Sequence, residues 1–389
     1  MVATNFNKVI DRTGTYSTQW DYAADRFGRA DVLPFSISDT DFPVPEEVEE
    51  ALLARLRHPV FGYTRWNHAD YKQSVVRWFQ RDGSARDFDP EWVVYSPSVI
   101  FSVASVIRLL TAPGEGVITC TPMYDAFYGV IEGNGRALVP VCQASAQEGY
   151  GLDWDALERA ARNPRNRVML LTNPHNPTGK VYARSELERI HQICSAHDVT
   201  VISDDIHRDV VYEPARYTPI LDVATEGALI ACSSSKTFNT PGLIGSYCLI
   251  PDPILRERFL FELKQKNALS SVSILGMEAQ MAAYARCDVY VSDMLAHLSA
   301  NMAHLRSFVE KNLPQLRFAE PQGTYLAWID ASGTGLSPEE LQDRLVNRGR
   351  VGIMSGAAYG DGRYLRMNVA CPRAKLDEGL ARMLSAFGE

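Results

Sequence analysis

Short apolar runs alternate along the chain with stretches in which apolar residues recur every three or four positions. The runs at 92–95, 117–120, 137–141, 168–171, 199–202 and 228–232 are rich in Val, Ile and Leu and are bounded by turn residues, which predicts buried strands. Between them the spacing predicts helices over 99–110, after Thr121-Pro122-Met123-Tyr124, over 154–161 and over 185–197. Upstream, Pro45-Glu46-Glu47 opens a helix with a proline and acids in its first turn, carrying Val48, Leu52, Leu53 and Leu56 at helical spacing. A second helix runs through Tyr71, Val75, Val76, Trp78 and Phe79. Strands that alternate with helices in this way predict an α/β fold with a mostly parallel sheet covered on both faces.

Past about residue 285 the pattern changes. A long helix over 289–312 leads to a strand at 323–328, a helix over 338–347, two short strands at 351–354 and 364–369, and a last helix. This predicts a second, smaller α/β domain. The expected division is a large domain over 46–285 and a small one built from 1–45 and 286–389.

Composition narrows the function classes. Of 389 residues, 46% are hydrophobic and 22% charged, an ordinary globular balance, and the net charge of -8 argues against a general nucleic-acid binder. Seven cysteines, never in a C-x-x-C spacing, argue against a zinc site or a disulfide framework and suit a reducing compartment. The start, Met1 to Lys8, lacks a signal-peptide pattern, and no uncharged apolar run approaches membrane-spanning length. A cytoplasmic protein with no membrane partner is expected.

In parallel sheets ligands gather at the carboxyl ends of the strands. Ser98, Tyr124, Asn176, Asp204, His207 and Lys236 all fall there. Lys236 follows the apolar run 228–232 and the serines Ser233, Ser234 and Ser235, with a Pro241-Gly242 turn beyond. That placement suits a Schiff-base lysine, whose amine must become neutral to attack an aldehyde, with the serine hydroxyls offered to a phosphate beside it. An amino-acid carbanion needs an electron sink, and pyridoxal phosphate supplies one if its ring nitrogen stays protonated. A buried carboxylate does this, and Asp204 is the candidate. Asn176 and His207 are candidate donors to the ring's phenolic oxygen, and Tyr124 can stack on the ring. The phosphate would use the turn Pro97-Ser98-Val99-Ile100, where free N–H groups open a helix, together with Ser233 and Ser235. Arg366, within an apolar strand, offers a fork for a substrate carboxylate.

Four stretches carry a family likeness: Asn173-Pro-His-Asn-Pro-Thr-Gly-Lys180, Ser203-Asp-Asp-Ile-His207, Ser235-Lys-Thr-Phe-Asn239 and Leu365-Arg-Met-Asn-Val-Ala-Cys-Pro-Arg373. They resemble the signatures of fold-type I pyridoxal-phosphate enzymes in the class I/II aminotransferase superfamily, and most of all the MalY/PatB branch of cystathionine β-lyases. Asp11-Arg-Thr-Gly-Thr15, Gln19-Trp-Asp21, Ser38-Asp-Thr-Asp-Phe42 and Gly62-Tyr-Thr64 resemble that branch too, so the likeness spans nearly the whole chain. It implies Lys236 as the cofactor-bonding lysine, Asp204 at the ring nitrogen, Asn176 at the ring oxygen, His207 where related aminotransferases have a tyrosine, and Tyr124 stacked on the ring. It further implies Arg366 on the substrate α-carboxylate and Tyr63 reaching the phosphate of a neighbouring subunit, hence a homodimer. Asp205 stands where the branch more often has Glu, Thr40 where Met is usual, Ser98 in place of a common Gly, and Ile244 where many aminotransferases place a phosphate-binding Arg. The expected activity is a carbon–sulfur β-lyase acting on L-cystathionine or a related cysteine S-conjugate. An aminotransferase using the same residues is the alternative, and a regulatory or partner-binding pyridoxal-phosphate protein a further one.

Overall fold

The computed structural model describes residues 4–85 and 87–388. Residues 1–3, where the signal-peptide reading begins, lie outside them. Helix α1 (Ala23–Phe27) and the two-residue strand β1 (Leu33–Pro34) precede α2 (Glu46–Leu56) and α3 (Ala69–Gln80). The acids Glu46, Glu47 and Glu49 do sit in the first turn of α2, where the helix dipole favours them. Its apolar positions are not one core stripe, however. Val48 is fully buried, whereas Leu53 and Leu56 are each 47% exposed. This chain therefore leaves one apolar edge of α2 uncovered.

The large sheet collects β2 (Val93–Ser96), β3 (Gly116–Thr121), β4 (Ala137–Cys142), β5 (Asn166–Thr172), β6 (Thr200–Asp204), β7 (Ala228–Cys232) and β8 (Ser246–Leu249). Their spatial order is β2-β8-β7-β6-β5-β3-β4. Only β8 runs against its neighbours; the other pairings are parallel. Helices α4 (Val99–Leu110), α5 (Asp125–Gly133), α6 (Trp154–Ala161) and α7 (Arg184–Ser195) alternate with the strands as the pattern predicts. The one-turn α8 (Ser235–Phe238), α9 (Pro253–Phe261) and α10 (Ile274–Arg286) follow. The pattern does not announce β8, α9 or α10. β8 is only four residues long, and α10 is buried on several sides by small residues such as Gly276, Ala279, Ala282 and Ala283, which erases a one-sided stripe.

The C-terminal part contains α11 (Asp288–Asn312), β9 (Leu326–Asp330), α12 (Pro338–Asp343), β10 (Val351–Gly352), β11 (Met354–Ser355), β12 (Tyr364–Asn368) and α13 (Arg373–Phe387). Three predicted boundaries shift. The strand expected from 323 begins at Leu326, because Gly323 and Thr324 bridge to the loop at Val210–Val211 and Thr324 has φ +66°. The helix expected to 347 ends at Asp343 and continues as a wider turn over Arg344–Gly349. The strand expected at 351–354 is two strands in different sheets: β10 pairs with β1, and β11 joins the antiparallel order β11-β12-β9.

One apolar core packs around the seven-stranded sheet. A second gathers Phe35 with residues from Met302 to Phe387. α11 spans both, offering Met294 and Leu298 to the first and Leu305 and Val309 to the second. Among the described residues, no helix is long and apolar enough to cross a membrane.

Candidate active site

Register carries the chemistry to one edge of the large sheet. Thr172 at the end of β5 lies opposite Asp204 at the end of β6, and Asp204 opposite Ala231 of β7. The chain leaving β7 turns at Ser233 and Ser234 into α8, which holds Lys236. A cavity of about 210 Å³ opens over these ends, lined among others by Ser38, Pro97–Ile100, Tyr124, Thr172, Asn176, Asp204, His207, Ser233, Ser235, Lys236 and Ile244–Ser246.

Lys236 is held from two sides. Its neighbour Thr237 donates through Oγ1 to Asp209 at 2.8 Å, and Asp209 also accepts from Trp78 Nε1 at 3.1 Å and pairs with Arg81 at 2.7 Å. At the end of α8, Asn239 takes the left-handed conformation at φ +54°. Its amide accepts Thr40 N–H and donates to the Thr40 and Phe42 carbonyls. That ties residues 36–42 across the cavity as a strap. The strap's acids are fixed in turn: Arg12 bonds Asp39 at 2.6 Å and Asp41 at 2.9 Å, and Lys375 bonds Asp41 at 2.5 Å. The Lys236 ammonium donates to the Ser38 carbonyl, which also accepts the Tyr325 hydroxyl at 3.0 Å. Burial pulls the Lys236 pKa down to about 8, against a smaller upward pull from Asp39.

Asp204 is 4% exposed and accepts the Ile206 N–H at 3.1 Å. Burial pushes its carboxyl up to about 7. Its neighbour Asp205 is also buried, but turns to Ser203 Oγ at 2.5 Å and to the Tyr217 hydroxyl, away from the cavity-lining set. His207 is buried and, pushed down to about 3 by burial, is a neutral imidazole. Arg366 donates to Asn176 Oδ1 at 3.1 Å and to the Ser36 carbonyl at 2.9 Å, with its guanidinium 4.3 Å from the Tyr359 ring centroid. Three sealed polar atoms here have no partner among the described residues: Ser38 Oγ, His207 Nδ1 and Arg366 Nε. Unpaired buried groups are costly, and a cluster of them beside a cavity points to a ligand that pairs them.

At the opposite wall Ser98 caps α4, its hydroxyl accepting Phe101 N–H at 3.1 Å. Val99 and Ile100, the first two residues of the helix, keep N–H groups with no acceptor inside it, a ready anion site. Ser233 donates to the Gly245 carbonyl at 2.7 Å and lies 3.0 Å from Ser235 Oγ. Gly276 lets α10 press against the turn leading to Ile244: an added Cβ would meet the Leu243 and Ile244 carbonyl oxygens at 2.2 and 2.5 Å. Ile244 itself has φ +40° and is 57% exposed.

All six predicted strand-end residues, Ser98, Tyr124, Asn176, Asp204, His207 and Lys236, thus line one cavity. Ser234 does not line it, so two of the three serines face the cavity. Arg366 is not among the lining residues but donates to Asn176, which is, and Tyr63 is 99% exposed, as a residue expected to reach a neighbouring subunit would be. Sequence reasoning assigned no role to Ser38, Tyr325 or Asn239. The Ser38-Asp-Thr-Asp-Phe42 and Ser235-Lys-Thr-Phe-Asn239 likenesses marked two of them without saying that the two segments touch.

Residues 30–383 match the family described as aminotransferase class I and II. The chain belongs to this family. Within it, this aminotransferase-family chain is 41% identical over 385 residues to Protein MalY of Escherichia coli strain K12, covering 98% of each. It is 34% identical over 388 residues to Cystathionine beta-lyase PatB of Bacillus subtilis strain 168, covering 98% of this chain and 100% of that one. Its structure is similar to that of cystalysin from Treponema denticola, a protein described as containing a pyridoxal 5'-phosphate cofactor, with a TM-score of 0.93 at 28% identity over 99% of each chain. The fold is the aspartate-aminotransferase-like fold type I of this family.

Proposed function

We propose that this chain is a pyridoxal-phosphate-dependent carbon–sulfur β-lyase. It converts L-cystathionine, or a related cysteine S-conjugate, and water into a thiol (homocysteine from cystathionine), pyruvate and ammonia. The observation that carries this reading is a cavity joining a lysine of lowered pKa to a buried carboxylate and a free helix N-terminus, in a chain so similar to MalY and PatB.

The residues fit the cofactor. Val99 and Ile100 N–H groups with the Ser233 and Ser235 hydroxyls would hold the phosphate. Asp204 would hold a proton on the ring nitrogen, Asn176 and His207 would serve the ring oxygen, and Tyr124 would pack on the ring. The cofactor, when bound, supplies the electron sink for the pair left at the substrate Cα. Lys236 would bond the cofactor and, once freed, take the Cα proton. Its lowered pKa keeps a useful neutral fraction near neutrality. Arg366 would bind the α-carboxylate, aimed by Asn176 and the Ser36 carbonyl. Burial raises the Tyr124 pKa, so its hydroxyl keeps its proton while it serves the site.

The division proposed is a large domain over 46–285 and a small one from 1–45 with 286–389; the separate core of Phe35 with residues from Met302 to Phe387 supports it, while Phe6, Phe42, Met294 and Leu298 pack into the large-sheet core across that boundary. A homodimer follows as part of the same proposal. Among the described residues lining the cavity Lys236 is the only cation, while Tyr63, Phe61, Leu53 and Leu56 are exposed and free to cover a second copy, Tyr63 reaching its phosphate. A monomeric mass by light scattering of the holoenzyme would contradict it. A cytoplasmic location is supported by six buried free thiols of seven, and recovery in a secreted fraction would count against it.

The deciding experiment measures pyruvate and thiol from purified protein with pyridoxal phosphate and L-cystathionine, beside Lys236→Ala. Equal yields of both, lost at least a thousandfold in the variant, are expected. Turnover only after a 2-oxo acid is added would make this an aminotransferase.

A further inference from the structure

Of the three sealed atoms that lack a partner among the described residues, His207 and Arg366 already have a ligand, the ring oxygen and the substrate α-carboxylate. Ser38 Oγ has none. Ser38 is 8% exposed, and among the described residues lining the cavity it alone comes from outside 97–246. It is what the strap contributes to the cavity wall. Its neighbours are clamped: Asn368 Nδ2 donates to the Ile37 carbonyl at 2.6 Å and to the Asp39 carbonyl at 2.5 Å, and Gln19 Oε1 accepts the Ile37 N–H at 3.0 Å. The Ser38 carbonyl itself accepts from the Lys236 ammonium. A serine hydroxyl lies within about 4 Å of its own carbonyl oxygen. An unpaired donor therefore stands beside the amine that takes the Cα proton, and the departing sulfur is two bonds from that Cα. A buried hydroxyl left unpaired in a cavity wall calls for a group on the ligand that pairs it.

We propose that the Ser38 hydroxyl donates to the sulfur of the leaving thiol and passes to it the proton that Lys236 has removed from Cα. The pair left at Cα forms the second Cα–Cβ bond as the Cβ–S bond breaks, and the electrons of that bond leave on sulfur. The hydroxyl gives its proton to the thiolate and takes one from the Lys236 ammonium. Lys236 is then neutral again, and the product departs as a neutral thiol. A thiolate released into a closed cavity is costly to desolvate, and an alkyl thiol, with a pKa of about 8.5, is a poor leaving group without a donor.

This inference rests on the β-lyase reading, and the experiment separates the two. It compares kcat/KM of holoenzyme for pyruvate release from L-cystathionine, whose thiol needs a proton, and from β-chloro-L-alanine, whose chloride does not. The ratio of the first to the second should fall about thirtyfold in Ser38→Ala, the effect of losing one hydrogen bond to a charged atom, and Ser38→Thr, which keeps the hydroxyl, should recover part of it. A ratio unchanged in Ser38→Ala, or one that falls only in Tyr124→Phe, would overturn the role of Ser38 and leave the lyase standing. Pyruvate from β-chloro-L-alanine alone, or from neither compound, removes the lyase reading and this inference together. Apoprotein gives a readout independent of turnover. A hydroxyl with no partner holds nothing together, so Ser38→Ala should unfold at the same urea concentration as the native chain or a higher one. A clearly lower midpoint would mean that the hydroxyl serves the fold, and would overturn the proposal.

Discussion

Replacing Asp204 by Asn should stabilise the cofactor-free protein while weakening its hold on pyridoxal phosphate. Asp204 is 4% exposed, and burial raises its carboxyl from an ordinary 3.8 to about 7, with Asp205 adding to the rise. A carboxyl whose folded pKa lies above its unfolded value contributes stability that is full below about pH 4 and is lost as pH climbs through about 7. At about 1.4 kcal/mol per pH unit, that span corresponds to ~4 kcal/mol lost by pH 8. Asn has nearly the same shape, can still accept the Ile206 N–H, and carries no charge to bury. Urea unfolding of apoprotein should therefore give similar midpoints for both chains near pH 4. At pH 8 the variant's midpoint should be clearly higher, and its unfolding free energy greater by an amount approaching that figure. With pyridoxal phosphate present the order should reverse, because the variant no longer offers a carboxylate to the ring nitrogen. A variant that is no more stable than the native apoprotein at pH 8, relative to pH 4, would refute the burial argument and with it the account of why this acid waits for a cation.

Gly276→Ala should lower the unfolding free energy by about 2 kcal/mol and reduce cofactor affinity together, since its Cβ would collide with two backbone carbonyls of the turn at the cavity wall. Titrating the cofactor's absorbance against variant protein measures the second effect. Arg366→Lys should reduce kcat/KM for the amino-acid substrate by about a hundredfold, since an ammonium cannot span Asn176, the Ser36 carbonyl and a carboxylate at once.

Much of the site was legible because its signals are local. Lys236, Asp204, Asn176 and the α4 N-terminus each follow an apolar run, and strand ends are where a parallel sheet collects ligands. Less visible were contributions whose neighbours lie far along the chain. Asn239 binds Thr40, and Lys236 binds the Ser38 carbonyl, across about two hundred residues, and no periodicity encodes such pairs. The apolar spacing of α2 is helical, as its backbone is, but spacing alone does not say whether a stripe meets the chain's own core or stays exposed as Leu53 and Leu56 do.

By itself the sequence determined the alternation of strands and helices, the order in which they arrive, and which chemical groups stand at the strand ends. These depend on side-chain period and turn residues within a few positions. The tertiary structure alone decided the protonation chemistry and the aim of those groups. Lys236 and Asp204 acquire their shifted pKa values from desolvation by packed neighbours, and Arg366 is pointed by Asn176 and Ser36, from segments far away in the chain. Burial and long-range contact are properties of the packed molecule, and no short stretch of sequence contains them.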